Sequence, residues 1–128
     1  MDGVKVPIFV ESRYQVNRKR IKTTVVNLLK KNNINGDVEV SIAIVGDRKM
    51  RDLSRKYKGE DKTRSILSFS MTEGKSSYLP EDFLMLGDII LSYPQVILES
   101  SEDEMLVDDK IDELVEHGVL HLLGINHE

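Results

Sequence analysis

The chain has 128 residues, 40% of them hydrophobic, which suits one domain over residues 1–128 with a core that needs no staples. It has no cysteine, which excludes a disulfide framework and a thiolate metal site. The net charge of −4 conceals a split: residues 1–64 hold 16 Lys/Arg against 8 Asp/Glu, and residues 65–128 hold 2 against 14, a pattern read either as a polyanion partner for the basic half or as solvated faces of opposite sign.

Val4 to Val10 is β-prone and alternates loosely. Val16, Ile21, Val25, Leu28 and Leu29 stand near helical spacing and predict a basic helix over about 14–31, ended by the turn signal Asn35-Gly36. Val38, Val40, Ile42 and Ile44 alternate with Glu39, Ser41 and Ala43, which predicts a strand over 38–45. Asp47 is the expected N-cap of a short basic helix running to about Lys56, followed by a polar break over 59–62. Ser65 to Met71 reads as a strand, 72–82 as a loop, and Phe83 to Leu91 as a buried strand. Pro94 suits the first turn of a helix that residues 99–104 end or interrupt. Asp108 or Asp109 is the expected cap of a last helix carrying Ile111, Leu114, Val115, Val119, Leu120 and Leu122, closed by Gly124. The order β-α-β-α-β-β-α-α predicts an α+β or mixed three-layer domain, a four-stranded mixed sheet packed with helices. No stretch resembles a signal peptide and no apolar run approaches the ~20 residues that span a bilayer, so the expected location is the cytoplasm, away from membranes.

All three histidines lie in His117-Gly-Val-Leu-His121-Leu-Leu-Gly-Ile-Asn-His127. On a helix, residues four apart share a face, so His117 and His121 can aim at one point. Gly124 lets the chain turn back and offer His127 as a third nitrogen. Three imidazoles with one open position describe a catalytic zinc site, although nickel, copper and iron accept the same donors. The bland alternative is three unrelated histidines in a helix and its tail. The spacing H-x-x-x-H-x-x-G-x-x-H is also that of metzincin proteases, which need Glu directly after the first His as general base. Gly118 stands there instead, and the nearest carboxylates in sequence are Glu116 and Glu128.

The segment HGVLHLLGINH resembles the H-G-x-L-H-L-x-G-x-D-H signature of the YbeY family of metal-dependent endoribonucleases. Leu86-Gly87-Asp88-Ile89-Ile90-Leu91-Ser92 is similar to that family's L-G-D-I-x-I-S strand. Residues from Leu53 through Tyr57-Lys58-Gly59 to Ile66-Leu67-Ser68-Phe69 resemble its L-N-x-x-Y-R-G-x-D-x-P-T-D-V-L-S-F stretch. The resemblance implies an α+β fold with a four-stranded sheet. It also implies one zinc ion on His117, His121 and His127, and single-stranded RNA, ribosomal RNA or the ribosome, as partner in ribosomal RNA maturation. It places Tyr57 to Phe69 beside the metal cleft. Arg48, Lys49, Arg51, Arg55, Lys56, Lys58, Lys62 and Arg64 then become candidate phosphate contacts. Lys58, standing where the family has arginine, is the expected catalytic residue that stabilises phosphate charge. Asp88 reads equally as a residue near the site and as a turn or cap residue.

The chain departs from the family pattern at Lys58, at Thr63-Arg64-Ser65 in place of P-T-D, and at Asn126 in place of Asp. Lysine keeps the charge but not the bidentate fork. The leading expectation is a zinc-dependent endoribonuclease. Its alternatives are an RNA- or ribosome-associated binding module with a structural metal, and a metalloprotease-like hydrolase.

Overall fold

The computed structural model describes residues 3–11, 13–71 and 83–125. The expected loop over 72–82, together with Asn126, His127 and Glu128, lies outside the described residues. The elements run β1 (Val4–Lys5), β2 (Ile8–Val10), α1 (Arg18–Lys31), β3 (Asp37–Val45), α2 (Asp47–Lys58), β4 (Ile66–Ser70), β5 (Phe83–Ser92), α3 (Tyr93–Glu102) and α4 (Val107–Leu122).

Strand β3 is the spine. It pairs in parallel with β5 from Asp37 opposite Phe83 to Val45 opposite Ser92, with a shift of register between Glu39 and Val40. Along its other edge run β1 and β2, also parallel, with Val4 opposite Val38 and Ile8 opposite Ile42. They form one edge strand broken at Val6-Pro7, where proline has no N–H to give the ladder while its carbonyl accepts from Ile42 N–H at 2.9 Å. Strand β4 closes the far edge, antiparallel to β5. The sheet thus counts five strands but is four wide, the α+β mixed sheet that the element order predicts.

The alternation in β3 divides the core. Val38, Val40, Ile42 and Ile44 join Ile89 and Leu91 under α1 (Ile21, Val25, Leu29) and α4 (Ile111, Val115, Val119, Leu122). On the opposite face Val45, Met50 and Leu67 pack with Ala43, Leu53, Phe69 and Ile90 under α2. Helix α3 adds Val96 to the larger core. Arg20 of α1 bonds Asp109 and Asp112 of α4, and Thr24 bonds Asp112 at 3.1 Å. Part of the charge split is therefore internal, a basic helix seated against an acidic one. Among the described residues no helix is long and apolar enough to cross a membrane.

Three helix starts differ from the sequence reading. Helix α1 begins at Arg18, capped by the Asn17 side chain accepting from Arg20 N–H, and Tyr14 instead stacks on Tyr93 at 4.6 Å between ring centroids. Gly46, not Asp47, is the N-cap of α2, since the Asp47 carboxylate is drawn into tertiary hydrogen bonds. Leu106 occupies the N-cap of α4, leaving Asp108 and Asp109 in its first turn, where carboxylates still favour the positive end of the helix dipole. Pro94 does lie in the first turn of α3, which ends at Glu102.

Candidate metal centre

Helix α4 buries Leu114, Val115, Gly118, Val119 and Leu122 and leaves His117 and His121 exposed, one turn apart at the margin of that stripe. His121 does not float free. Its Nδ1 lies 2.6 Å from the Oγ of Ser68, on the α4 side of β4. The helix then stops by a paired closure: Gly124 N–H bonds His121 C=O at 3.0 Å, and Ile125 N–H bonds Leu120 C=O at 2.9 Å. Gly124 adopts φ +77 with open space around its missing Cβ, so backbone conformation alone calls for glycine there. The helix thus closes at the glycine expected to end it.

Two further glycines set how closely α4 lies on the sheet. A Cβ on Gly118 would stand 2.9 Å from Ile89 Cδ1 and 3.2 Å from Ile66 Cδ1. A Cβ on Gly87, which has φ +147, would meet the Phe69 carbonyl oxygen at 2.0 Å and Leu122 Cδ2 at 3.0 Å. Position 118 is therefore sealed against β4 and β5. Glycine stands where a metzincin places the glutamate after its first histidine, and a side chain there would have to displace two isoleucine ends, so the general base on which the protease reading depends is absent.

Two imidazoles on one exposed helix face, one of them with its second nitrogen held by a hydroxyl, fit the donor set of zinc and other divalent transition metals. Among the described residues no group of three His, Asp or Glu side chains is gathered at one point. The expected third ligand, His127, is outside them. Glu116 is exposed on α4. Asp88 accepts from Ser41 Oγ at 2.6 Å. Ser41 belongs to the row of β3 that faces α2, so Asp88 lies on the sheet face opposite the histidines, tied to a neighbouring strand.

Lys58 is exposed at the last residue of α2, on the far face of the sheet from α4. Yet α2 and the histidines share a neighbour. Tyr57 packs edge-on against Phe69 at 5.2 Å between centroids, and Phe69 directly follows Ser68 in β4. The outer face of α2 carries an open cleft of about 490 Å³ lined by Asp47, Arg48, Arg51, Asp52 and Arg55. Arg55 is committed to Asp61 at 2.8 Å, and Arg64 to Glu60. Arg48, Lys49, Arg51 and Lys58 make no hydrogen bond or ion pair among the described residues, whereas Lys56 lies over the Tyr57 ring at 5.2 Å and Lys62 is 3.9 Å from Glu60.

Asp47 organises this region from below. It accepts from Ser92 Oγ (2.8 Å), Thr63 Oγ1 (3.1 Å) and Gln95 Nε2 (3.2 Å). Burial pushes its carboxyl up, but the hydrogen bonds from Ser92, Gln95 and Thr63, with the charge of Arg51, outweigh burial and hold it below the ordinary carboxylate value. Pattern singled out Ser68 only as part of a strand and Asp47 only as a helix cap, and neither organising role was visible in spacing. Their partners lie 53 and 45 residues away, beyond any local signal.

The family model described as Endoribonuclease YbeY matches residues 9–128. A curated Endoribonuclease YbeY of Bartonella quintana (strain Toulouse) is 33% identical over 115 residues, covering 90% of this chain and 70% of the relative. One of Persephonella marina is 33% identical over 113 residues, covering 88% and 71%, and one of Magnetococcus marinus is 38% identical over 96 residues, covering 71% and 65%. Among solved structures, the solution structure of TM1509 from Thermotoga maritima superposes with a TM-score of 0.62 at 25% identity, covering 96% of this chain and 75% of that one. The match runs through both the histidine helix and the strands that support it, and on that basis the chain belongs to the endoribonuclease YbeY family.

Proposed function

We propose that this protein is a metal-dependent endoribonuclease that hydrolyses single-stranded RNA in the maturation of ribosomal RNA. Family membership carries the RNA-cleaving activity. The observation that supports a metal is the exposed pair His117 and His121 on one face of α4, with His121 braced through Nδ1. His117, His121 and His127 would hold the ion, zinc being the first choice for three imidazoles. A divalent ion in that position supplies Lewis-acid polarisation of a phosphoryl oxygen and a water acidic enough to ionise near neutral pH.

The chain's own residues supply the rest. Arg48, Lys49, Arg51 and Lys58, which make no ion pair among the described residues, offer charge to a phosphodiester backbone, while Arg55 and Arg64 are spoken for by Asp61 and Glu60. Lys58 follows Tyr57, whose ring leans on the strand that braces His121, and this continuity supports Lys58 as the group that stabilises phosphate charge. The exposed Tyr57 ring offers one stacking surface for an unpaired base, which favours a single strand over a duplex.

The test is elemental analysis of the purified protein, followed by cleavage of matched single- and double-stranded RNA oligonucleotides. We expect about one equivalent of metal, cleavage of the single strand, and loss of both in His121→Ala. Bound metal without turnover would point instead to the binding-module reading. Cleavage unchanged in His121→Ala would overturn the metal assignment.

A further inference from the structure

We infer that Ser68 is a positioning residue for His121: it accepts a hydrogen bond from Nδ1–H, fixes that tautomer, and leaves Nε2 as the ring's free lone pair for a ligand. This rests on the metal reading above for what the lone pair binds, but not for the contact itself.

A hydroxyl and a ring nitrogen at 2.6 Å share one proton. A neutral imidazole has one N–H and one lone pair, so the partner of one nitrogen decides what the other can do. A ligating histidine almost always donates its other N–H to an oxygen that sets ring orientation. Among the described residues, Ser68 is the side chain bonded to His121 that fills this role.

The contact is exposed, but the strand and helix that carry it are packed together on both sides of it. Ile66, two residues before Ser68 on the same side of β4, abuts Gly118, one turn before His121. Leu122, directly after His121, abuts Gly87, which pairs with Ser70, two residues after Ser68. The hydrogen bond is thus bracketed by two glycine contacts, each too close for a Cβ. They set how closely α4 lies on β4 and β5 on both sides of it. A longer side chain at either glycine would lift the imidazole from the hydroxyl. The serine also suits the space: it is the shortest side chain that offers an oxygen acceptor, standing on a strand in van der Waals range of the helix.

Two readouts on the whole chain test this. In the first, the ring nitrogens of neutral His121 are observed by ¹⁵N NMR in metal-free protein, for wild type, Ser68→Ala and Ser68→Thr. The wild type and Ser68→Thr should show the Nδ1–H form, and Ser68→Ala should lose it. A wild-type ring protonated on Nε2, or a Ser68→Ala spectrum identical to wild type, overturns the inference. The second is zinc affinity by calorimetric titration. Ser68→Ala should bind about 10- to 100-fold more weakly, with Ser68→Thr restored to near the wild-type value because it keeps the hydroxyl. Equal affinity in Ser68→Ala and wild type overturns the positioning role. A wild type that takes up no zinc, yet shows the Ser68-dependent tautomer, keeps the contact and sinks the metal reading, so the two failures are told apart.

Discussion

Asp47, the first residue of α2, accepts a hydrogen bond from Ser92, the residue that caps α3, at 2.8 Å, and so ties the starts of two helices to one carboxylate. Its pKa in the folded protein is depressed below the ordinary 3.8. A depressed carboxylate stabilises the fold fully above its unfolded value and loses that contribution as pH falls through the folded one. The stability gap between wild type and Asp47→Asn should therefore be constant near neutrality and shrink below about pH 4. Urea unfolding from neutral pH down into the acid range measures it. A gap independent of pH would mean the charge on Asp47 is not what its partners recognise.

The two close-approach glycines predict unequal costs. Gly87→Ala combines a positive φ with a collision against a backbone carbonyl, which cannot move aside. We expect it to cost on the order of 3 kcal/mol or more. Gly118→Ala meets the ends of two isoleucine side chains and should cost about 1–3 kcal/mol. Denaturant midpoints give the comparison. Equal, small losses would show that α4 can ride outward without penalty.

Arg48 and Arg51 lie on one face of α2, beside the cleft that they line with Asp47 and Asp52, and make no ion pair among the described residues. Arg48→Glu and Arg51→Glu should each weaken RNA binding about equally for all sequences and reduce the dependence on salt by roughly one phosphate contact. Binding isotherms across a salt series report both. Arg55→Glu should also break the pair with Asp61, so a stability loss is expected there in addition.

Lys58 carries charge without a fork. If it meets phosphate at the reacting centre, Lys58→Ala should lower kcat/KM on RNA by about tenfold or more. Lys58→Arg should raise it by up to about tenfold through bidentate contact. Folding should be unaffected, since the side chain is exposed at a helix end. Turnover indifferent to both substitutions would remove Lys58 from the reaction.

The helices, the strands and the histidine pair were legible because each is written locally. Alternation placed β3, periodicity placed α4, and four-residue spacing put His117 beside His121. What was not legible depends on residues far apart in the chain. Asp47 has the composition of an N-cap, yet its carboxylate is used by Thr63, Ser92 and Gln95, so Gly46 caps the helix instead. Tyr14 fits a helical period but is taken by Tyr93. Ser68 looks like any polar residue in an alternating strand, and its importance emerges only when α4 arrives 53 residues later. Gly118 read as a missing base. It is in fact a seat for the helix against Ile66 and Ile89.

Consecutive residues of a strand point to opposite sides, and in β4 that parity sets Ser68 against α4 and Phe69 against Tyr57 of α2. The edge strand therefore works as a reading frame. Its frame is held by five residue pairs with β5, from Ile66 opposite Leu91 to Ser70 opposite Gly87. Removing one residue ahead of Ser68 would move Phe69 into its place and Ser70 into that of Phe69, presenting a phenyl ring to His121 and a hydroxyl to Tyr57. A single-residue deletion ahead of Ser68 would thus disable the histidine brace and the lysine-bearing helix end together, without altering either group.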